Sequence, residues 1–295
     1  MSHPKKLLVL GASSYVGQHL LSKYGCEDII GTYNNHSYDG GVYFNSTRMK
    51  VTEILPDLSR ISNAIIFLGD TQPDSCFYNQ VMTREINVNS IKRILDELKE
   101  SSVRPIFISS HFVFDGVKGN YLESDVPSPI LVYGVQKLEI ENYITELFDE
   151  YIIFRLSNVY GDKLGDKTLL TNFYDSVLNA TYIRCAIDQY FSPIHVSDVC
   201  KTIMSVVNSD LSGLYNLGGP QRLSRIDCLN TILNEIKKYR TINVDVEPCS
   251  IDDFELPERR PKDVSLDVNN ILSIIDFNFN TIAQSCKNIV CSDIH

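Results

Sequence analysis

Lys6-Leu-Leu-Val-Leu-Gly11-Ala-Ser-Ser-Tyr-Val-Gly17 reads as a short apolar strand, Lys6–Leu10, running into a glycine-bearing turn and then a helix, Gly17–Tyr24. A turn of that kind lets backbone N–H groups and a helix N-terminus meet a pyrophosphate. Gly11, Ser13, Ser14, Tyr15, Val16 and Gly17 are therefore the first candidates for holding a dinucleotide. The middle glycine of the usual fingerprint is replaced by Ser14, so a plain tight turn stands beside the dinucleotide reading.

Outward from this stretch, short apolar runs alternate with amphipathic ones. Strands are expected at Asp28–Thr32, Asn63–Leu68, Pro105–Ser109 and Tyr151–Leu156, with helices at Ile86–Glu100 and Tyr133–Phe148. Such alternation implies right-handed crossovers and a parallel sheet. The expected class is α/β: a Rossmann-type, doubly wound parallel sheet with a smaller C-terminal substrate-binding lobe. Residues 1–161 would form the nucleotide-binding domain, with 190–219 returning to it. Residues 162–189 and 220–295 would form the lobe, which includes an amphipathic helix over 224–239.

Bulk composition narrows the function classes. The 295 residues, 43% hydrophobic and 22% charged, suit a globular chain with a full core. A net charge of −10 argues against sequence-independent nucleic-acid binding. The apolar run after Met-Ser-His-Pro-Lys-Lys6 is too short for a signal sequence or a membrane span. The eight cysteines are scattered without metal spacing, so reduced packing residues, no metal site and a cytoplasmic location are expected.

The end of the second strand should meet the adenosine ribose, where a carboxylate selects NAD. Gly31-Thr-Tyr33-Asn34-Asn-His36 carries none. Tyr33 and Asn34 are candidate cofactor contacts, and NADP(H) is favoured over NAD(H). Arg48 and Lys50 are the nearest cations, and Asn34-Asn35 reads equally well as a polar loop.

Tyr133-Gly-Val-Gln-Lys137 places a phenol and an ammonium one helical turn apart, twenty-three residues after Ser109-Ser110 ends a strand. A lysine charge can lower the phenol's pKa, and a serine hydroxyl can hold a carbonyl oxygen. Ser110, Tyr133 and Lys137 are thus the candidate catalytic residues. The spacing alone is common, and an exposed tyrosine beside a solvated lysine is the plain alternative.

Together with Gly69-Asp-Thr-Gln-Pro-Asp, Ile86-Asn-Val-Asn89, Ile108-Ser-Ser-His-Phe-Val-Phe-Asp-Gly116, Phe154-Arg-Leu-Ser-Asn-Val-Tyr-Gly161, His195-Val-Ser-Asp198 and Arg260-Pro261, the chain resembles the extended short-chain dehydrogenase/reductases. Within them it resembles the dTDP-4-dehydrorhamnose reductase-like (RmlD-like) group over nearly its whole length. The resemblance implies an oxidoreductase of deoxysugar biosynthesis that reduces a nucleotide-linked 4-keto-6-deoxy sugar. Ser110 would bond the carbonyl, Tyr133 would deliver the proton, and Lys137 would hold the nicotinamide ribose. Leu68, Gly69, Asn87 and Ser109 would lie along the cofactor, and Gln189 and Arg260 near the nucleotide sugar. For Arg260 a surface ion pair with Glu255 or Glu258 competes. A nucleotide sugar is the expected partner, with no nucleic acid and no membrane; the assembly is open, a homodimer included.

Departures from the group's pattern bear on the substrate. His111 and Phe112 stand where an acidic residue and an aromatic usually follow the Ser/Thr. His111 could touch substrate, act as a second proton donor or be a satisfied loop histidine. Asn158 stands where a tryptophan is usual; Tyr190-Phe191 could fill that space or serve simply as an apolar lid. Without an Asp-Glu pair at 111–112, dehydration is not expected. A 3,5-epimerase/4-reductase would need an added pair, for which His111 and Cys185 are the candidates. The same group includes the methionine adenosyltransferase β subunit, so an NADP-binding regulatory subunit is the second reading.

Overall fold

The computed structural model describes residues 6–25 and 28–294. The N-terminal reading of Met1–Lys5 and the expectation for Cys26 lie outside them. Strands β1 (Lys6–Leu10), β2 (Ile29–Tyr33), β3 (Val42–Tyr43), β4 (Ile61–Ile66), β5 (Arg104–Ser110), β6 (Ile152–Leu156) and a last strand, Gly213–Leu217, form a seven-stranded sheet. Its order, from the last strand, is β6-β5-β4-β1-β2-β3. β1 pairs in parallel with β2 and with β4, Val9 standing beside Gly31 on one side and Ile65 on the other. This is the expected Rossmann-type parallel sheet. Its strand order reverses beside β1, where such sheets bind ligands at the strands' C-terminal ends.

Parallel strands covered on both faces read as unbroken apolar runs. Leu7–Leu10, Ala64–Ile66 and Ile106–Phe107 are all buried. Helix Ser90–Glu100 adds Ile91, Ile94, Leu95 and Leu98 at helical spacing to one core with Leu8, Leu10, Phe107 and Ile153.

Several boundaries shift by one residue, as at β2, β5 and β6, and three further differences stand out. The first helix begins at Tyr15, not Gly17, because Ser14 caps it: its Oγ accepts the Gly17 N–H at 3.2 Å. β4 ends at Ile66, not Leu68, because the chain leaves the sheet at Phe67-Leu68 to pass close to Gly11. The helix expected over Ile86–Glu100 opens with a π turn, Glu85–Asn89. The two-residue β3 was not foreseen.

The chain divides into two compact units. The first comprises residues 6–25, 28–113, 131–155 and 200–215, and the second 114–130, 156–199 and 216–294. In the second unit, helices Leu169–Asn179 and Ile282–Ile294 both pack on helix Arg225–Ile236. That central helix starts at a reciprocal cap between Ser224 and Asp227. Tyr182–Ala186 pairs in parallel with Asp245–Cys249, and Tyr190–Phe191 antiparallel with Leu223–Ser224. Among the described residues all seven cysteines are free, and no helix is long and apolar enough to cross a membrane.

Candidate active site

Helix Val132–Leu147 buries Tyr133, Gln136, Lys137, Ile140, Glu141 and Ile144, a stripe at intervals of three and four residues. The stripe faces inward, so the Tyr133–Lys137 pair is no surface pair: the two residues are 6% and 4% exposed. Ser110, at the end of β5, hydrogen-bonds the Tyr133 hydroxyl, and its Oγ also accepts the Phe112 N–H at 3.2 Å. Lys137 Nζ donates to the Ile108 carbonyl at 2.8 Å and lies 5.7 Å from the centroid of the Tyr133 ring. The structure thus brings Ser110, Tyr133 and Lys137 together.

The electrostatics differ from the expected lowering of the phenol. Burial dominates and holds the Tyr133 pKa above its ordinary value of 10.0; Cys76 adds to this, Ser110 opposes it, and Asp70 adds to it. Burial also lowers the Lys137 pKa to about 8, with Cys76 and Glu141 opposing. Removing charge from water outweighs the mutual attraction at this depth. Burial thus favours the neutral phenol at Tyr133.

The turn after β1 has the shape a pyrophosphate needs. Gly11 adopts φ +83°, and its N–H donates to Thr32 Oγ1 at 3.0 Å. A Cβ on Gly17 would come within 2.6 Å of the Ala12 carbonyl oxygen, so only glycine lets the helix sit this close. Leu68 lies against Gly11, its Cδ2 3.3 Å from where a Cβ would stand. The N-terminus of helix Tyr15–Tyr24, beside Ser13, Ser14 and Val16, completes a cradle that fits a dinucleotide. The Ser14 hydroxyl is spent on its cap. At the end of β2, Tyr33 packs edge-on against Tyr38 and Tyr43, and Asn34 is exposed. Tyr38, not foreseen from sequence, places its hydroxyl over Gly31, 2.2 Å from where a Cβ would be.

Asn87 acts on the protein itself. Its Oδ1 accepts the Asp70 N–H at 2.7 Å, and its Nδ2 donates to the Asp70 carbonyl at 2.9 Å and to Gln136 Oε1 at 2.7 Å. These bonds fasten the Gly69-Asp70 turn, where Gly69 has φ +141°, to helix Val132–Leu147. The Ser109 hydroxyl is likewise turned inward, donating to Glu141. Glu141 and its partner Arg155 escaped the sequence reading; the one available signal was that Glu141 follows Lys137 by four. His111 is 3% exposed and packs on Phe112, ring centroids 4.4 Å apart. Burial drives its pKa down to about 3, so it carries no ionisable proton to give near neutrality. Phe112 also meets the Tyr133 ring edge-on at 6.3 Å.

Asn158, Gln189 and Arg260 belong to the second unit. Asn158 is half-buried, and its carbonyl accepts the Ile194 N–H at 2.9 Å. Gln189 Oε1 accepts from Arg225 Nε at 2.6 Å. Arg260 is 9% exposed, and its Nη1 donates to the Glu258 main-chain carbonyl at 3.3 Å. Arg260 lines a cavity of about 640 Å³ with Arg222, Arg259 and Lys262, facing Asp115, Asp188 and Asp263. Tyr190 lines it too, with the Arg222 guanidinium 3.7 Å from its ring centroid, while Phe191 is buried.

The chain is 26% identical over 229 residues to the probable low-salt glycan biosynthesis reductase Agl14 of Haloferax volcanii, covering 75% of this chain and 74% of that one. It is 21% identical over 285 residues to the methionine adenosyltransferase 2 subunit beta of Bos taurus, covering 90% and 81%. The crystal structure of dTDP-4-dehydrorhamnose reductase from Bacillus anthracis str. Ames in complex with NADP superposes with a TM-score of 0.84. That match has 20% identity and covers 98% of this chain and all of the other. The family model described as the RmlD substrate binding domain matches residues 5–292, and to that family the chain belongs.

Proposed function

We propose that the protein is an NAD(P)H-dependent reductase of a nucleotide-linked 4-keto-6-deoxy sugar, with NADP(H) the preferred cofactor. The observation that carries this is the convergence of the buried side chains of Ser110, Tyr133 and Lys137 at the end of β5. The nicotinamide, when bound, supplies hydride to the carbonyl carbon. Ser110 orients the carbonyl oxygen through its hydroxyl. Tyr133, held neutral by burial, gives its proton to that oxygen as negative charge develops there. Lys137, anchored on the Ile108 carbonyl, offers its remaining N–H groups to the ribose and its charge to the phenolate left behind. The Gly11–Gly17 turn takes the pyrophosphate, and the absence of a carboxylate at Tyr33-Asn34 leaves room for a 2′-phosphate. In the second unit, Arg260 suits the sugar nucleotide's diphosphate, since a guanidinium grips phosphate oxygens in pairs, whereas Arg222 pairs with Asp263 and Lys262 with Asp188 and Asp252.

A 3,5-epimerisation step draws no support from its candidate pair. Burial leaves His111 a weak base, its pKa about 3, and pushes the Cys185 thiol up to about 11, so it is not a thiolate near neutrality. The regulatory-subunit reading is favoured by the similarity to the bovine β subunit over 90% of the chain. A binding module, however, has no chemical need for the full Ser-Tyr-Lys set.

The test follows NADPH oxidation against a panel of 4-keto-6-deoxy sugars linked to thymidine or uridine diphosphate, with Tyr133→Phe as control. Turnover on at least one member, lost in the control, is the expected result. Tight NADPH binding with no turnover on any member would favour the regulatory reading. Activity retained in Tyr133→Phe would remove Tyr133 as proton donor.

A further inference from the structure

One turn beyond Lys137, Glu141 carries a charge that the reaction above does not use. The residue is 2% exposed and Arg155, on β6, is 3% exposed. Arg155 Nη2 lies 2.8 Å from Glu141 Oε2, and its Nε lies 3.2 Å from each carboxylate oxygen. The Ser109 hydroxyl donates to Oε1 of the same carboxylate. Adjacent residues of β5 are thus tied to one helix at two points eight residues apart: Ser109 to Glu141 and Ser110 to Tyr133.

Stability alone gives little reason for this arrangement. Taking two charges out of water costs several kcal/mol per ion, and an apolar pair of the same volume is often as stable. An apolar pair, however, has no directional bond with which to hold Ser109. It would remove the central one of three ties, Ile108 to Lys137, Ser109 to Glu141 and Ser110 to Tyr133, that set the register of helix Val132–Leu147 against the end of β5. A displacement of about 1 Å at a reacting group is enough to slow chemistry by a hundredfold.

We propose that Glu141 is a positioning residue: clamped by Arg155 and Ser109, it locks helix Val132–Leu147 to the end of β5 and sets the charge environment of Lys137. This deepens the reductase reading and rests on it. The groups around the Lys137 ammonium are few. Tyr133 and Glu141 share its helix, and helix Pro73–Tyr78 contributes Cys76. β5 contributes the Phe107 ring, 4.7 Å away, and the Ile108 carbonyl. Among them Cys76 and, after it, the Glu141 carboxylate work against the burial that disfavours the charged amine.

Two variants separate this role from a merely structural one. Glu141→Gln keeps the shape and an acceptor for Ser109 while deleting the charge and leaving Arg155 unpaired. The double variant Glu141→Gln/Arg155→Met deletes both charges and the clamp. Two profiles are measured against pH on the intact protein: NADPH affinity by fluorescence titration, and kcat with the sugar that wild type reduces. Lys137→Met identifies the alkaline limb that belongs to Lys137. In Glu141→Gln that limb is expected to move down by about one pH unit. In the double variant it returns at least halfway, while kcat falls about tenfold with the KM for NADPH unchanged. If Glu141→Gln does not fold, the kcat of the double variant decides alone. An unmoved limb, or a folded double variant with wild-type kcat, overturns the proposal. NADPH binding with a mobile limb but no sugar turned over would sink the reductase assignment and leave the positioning role. Wild type that binds no NADPH would sink both.

Discussion

The Lys137 ammonium lies 5.7 Å from the centroid of the Tyr133 ring and donates a 2.8 Å hydrogen bond to the Ile108 carbonyl. One interaction fixes the lysine to β5, and the other brings its charge to the phenol. The pair acts as a unit because both side chains are buried by the same stripe of one helix.

On the proposed function, Tyr133→Phe removes the proton donor and leaves the ring's packing against Phe112. Turnover should fall by about 10²–10⁴-fold. NADPH affinity should stay within about threefold, because no cofactor contact is lost. Steady-state rates and a fluorescence titration on the same preparation check both halves.

Gly17→Ala puts a methyl group where the Ala12 carbonyl oxygen would be 2.6 Å away. The neighbour is backbone, so the helix must move. A stability loss of about 1–3 kcal/mol is expected, together with weaker cofactor binding as the cradle opens. Urea unfolding and the same titration report the two effects.

His111 gives the protein a defined acid sensitivity. Its pKa is about 3 in the folded chain against 6.5 for the free side chain. Between those values the unfolded chain binds a proton that the folded chain refuses, so stability is full above pH about 6.5 and lost as pH falls towards about 3. His111→Gln should remove on the order of 3 kcal/mol of that acid-dependent loss. Chemical denaturation at a series of pH values tests it; an unchanged acid slope would show that another group carries the effect.

Asn87→Ala leaves the Asp70 N–H and Gln136 Oε1 without a bond that each now makes to Asn87. Each buried group left unsatisfied costs about 1–3 kcal/mol. A lower Tm is expected, with looser NADPH binding because the Gly69-Asp70 turn loses its tether. Thermal melts with and without NADPH separate the two contributions.

Arg260→Lys keeps a charge but not the planar fork. On the proposed function, the KM for the sugar nucleotide should rise about tenfold while kcat changes little. A fall in kcat with unchanged KM would place Arg260 elsewhere in the reaction than on the diphosphate.

The alternation of apolar strands and amphipathic helices, the Gly11–Gly17 turn and the Tyr133–Lys137 spacing are all legible in the order of the residues. Each rests on local rules: period of burial, the need for glycine, and a repeat of four along a helix. What such rules cannot carry is which partner a polar side chain meets across the fold. Asn87, Ser109 and Ser14 are expected along the cofactor, yet their polar groups bond to Asp70 and Gln136, to Glu141 and to Gly17. The Arg155–Glu141 pair and the hydroxyl of Tyr38 over Gly31 had no distinctive local signature.

The direction of the pKa shifts shows the division most plainly. A tyrosine and a lysine one turn apart can be read from Tyr133-Gly-Val-Gln-Lys137, and with them the type of chemistry the pair can perform. Whether the lysine charge lowers the phenol or burial raises it depends on how much water the surrounding chain excludes. That is a sum over β5, the helix carrying the pair and the segment bearing Cys76 and Asp70, which are distant in sequence and meet only on folding. Local spacing specifies which groups can react; the packed interior sets their protonation and alignment, because desolvation and hydrogen-bond geometry exist only once those segments are together.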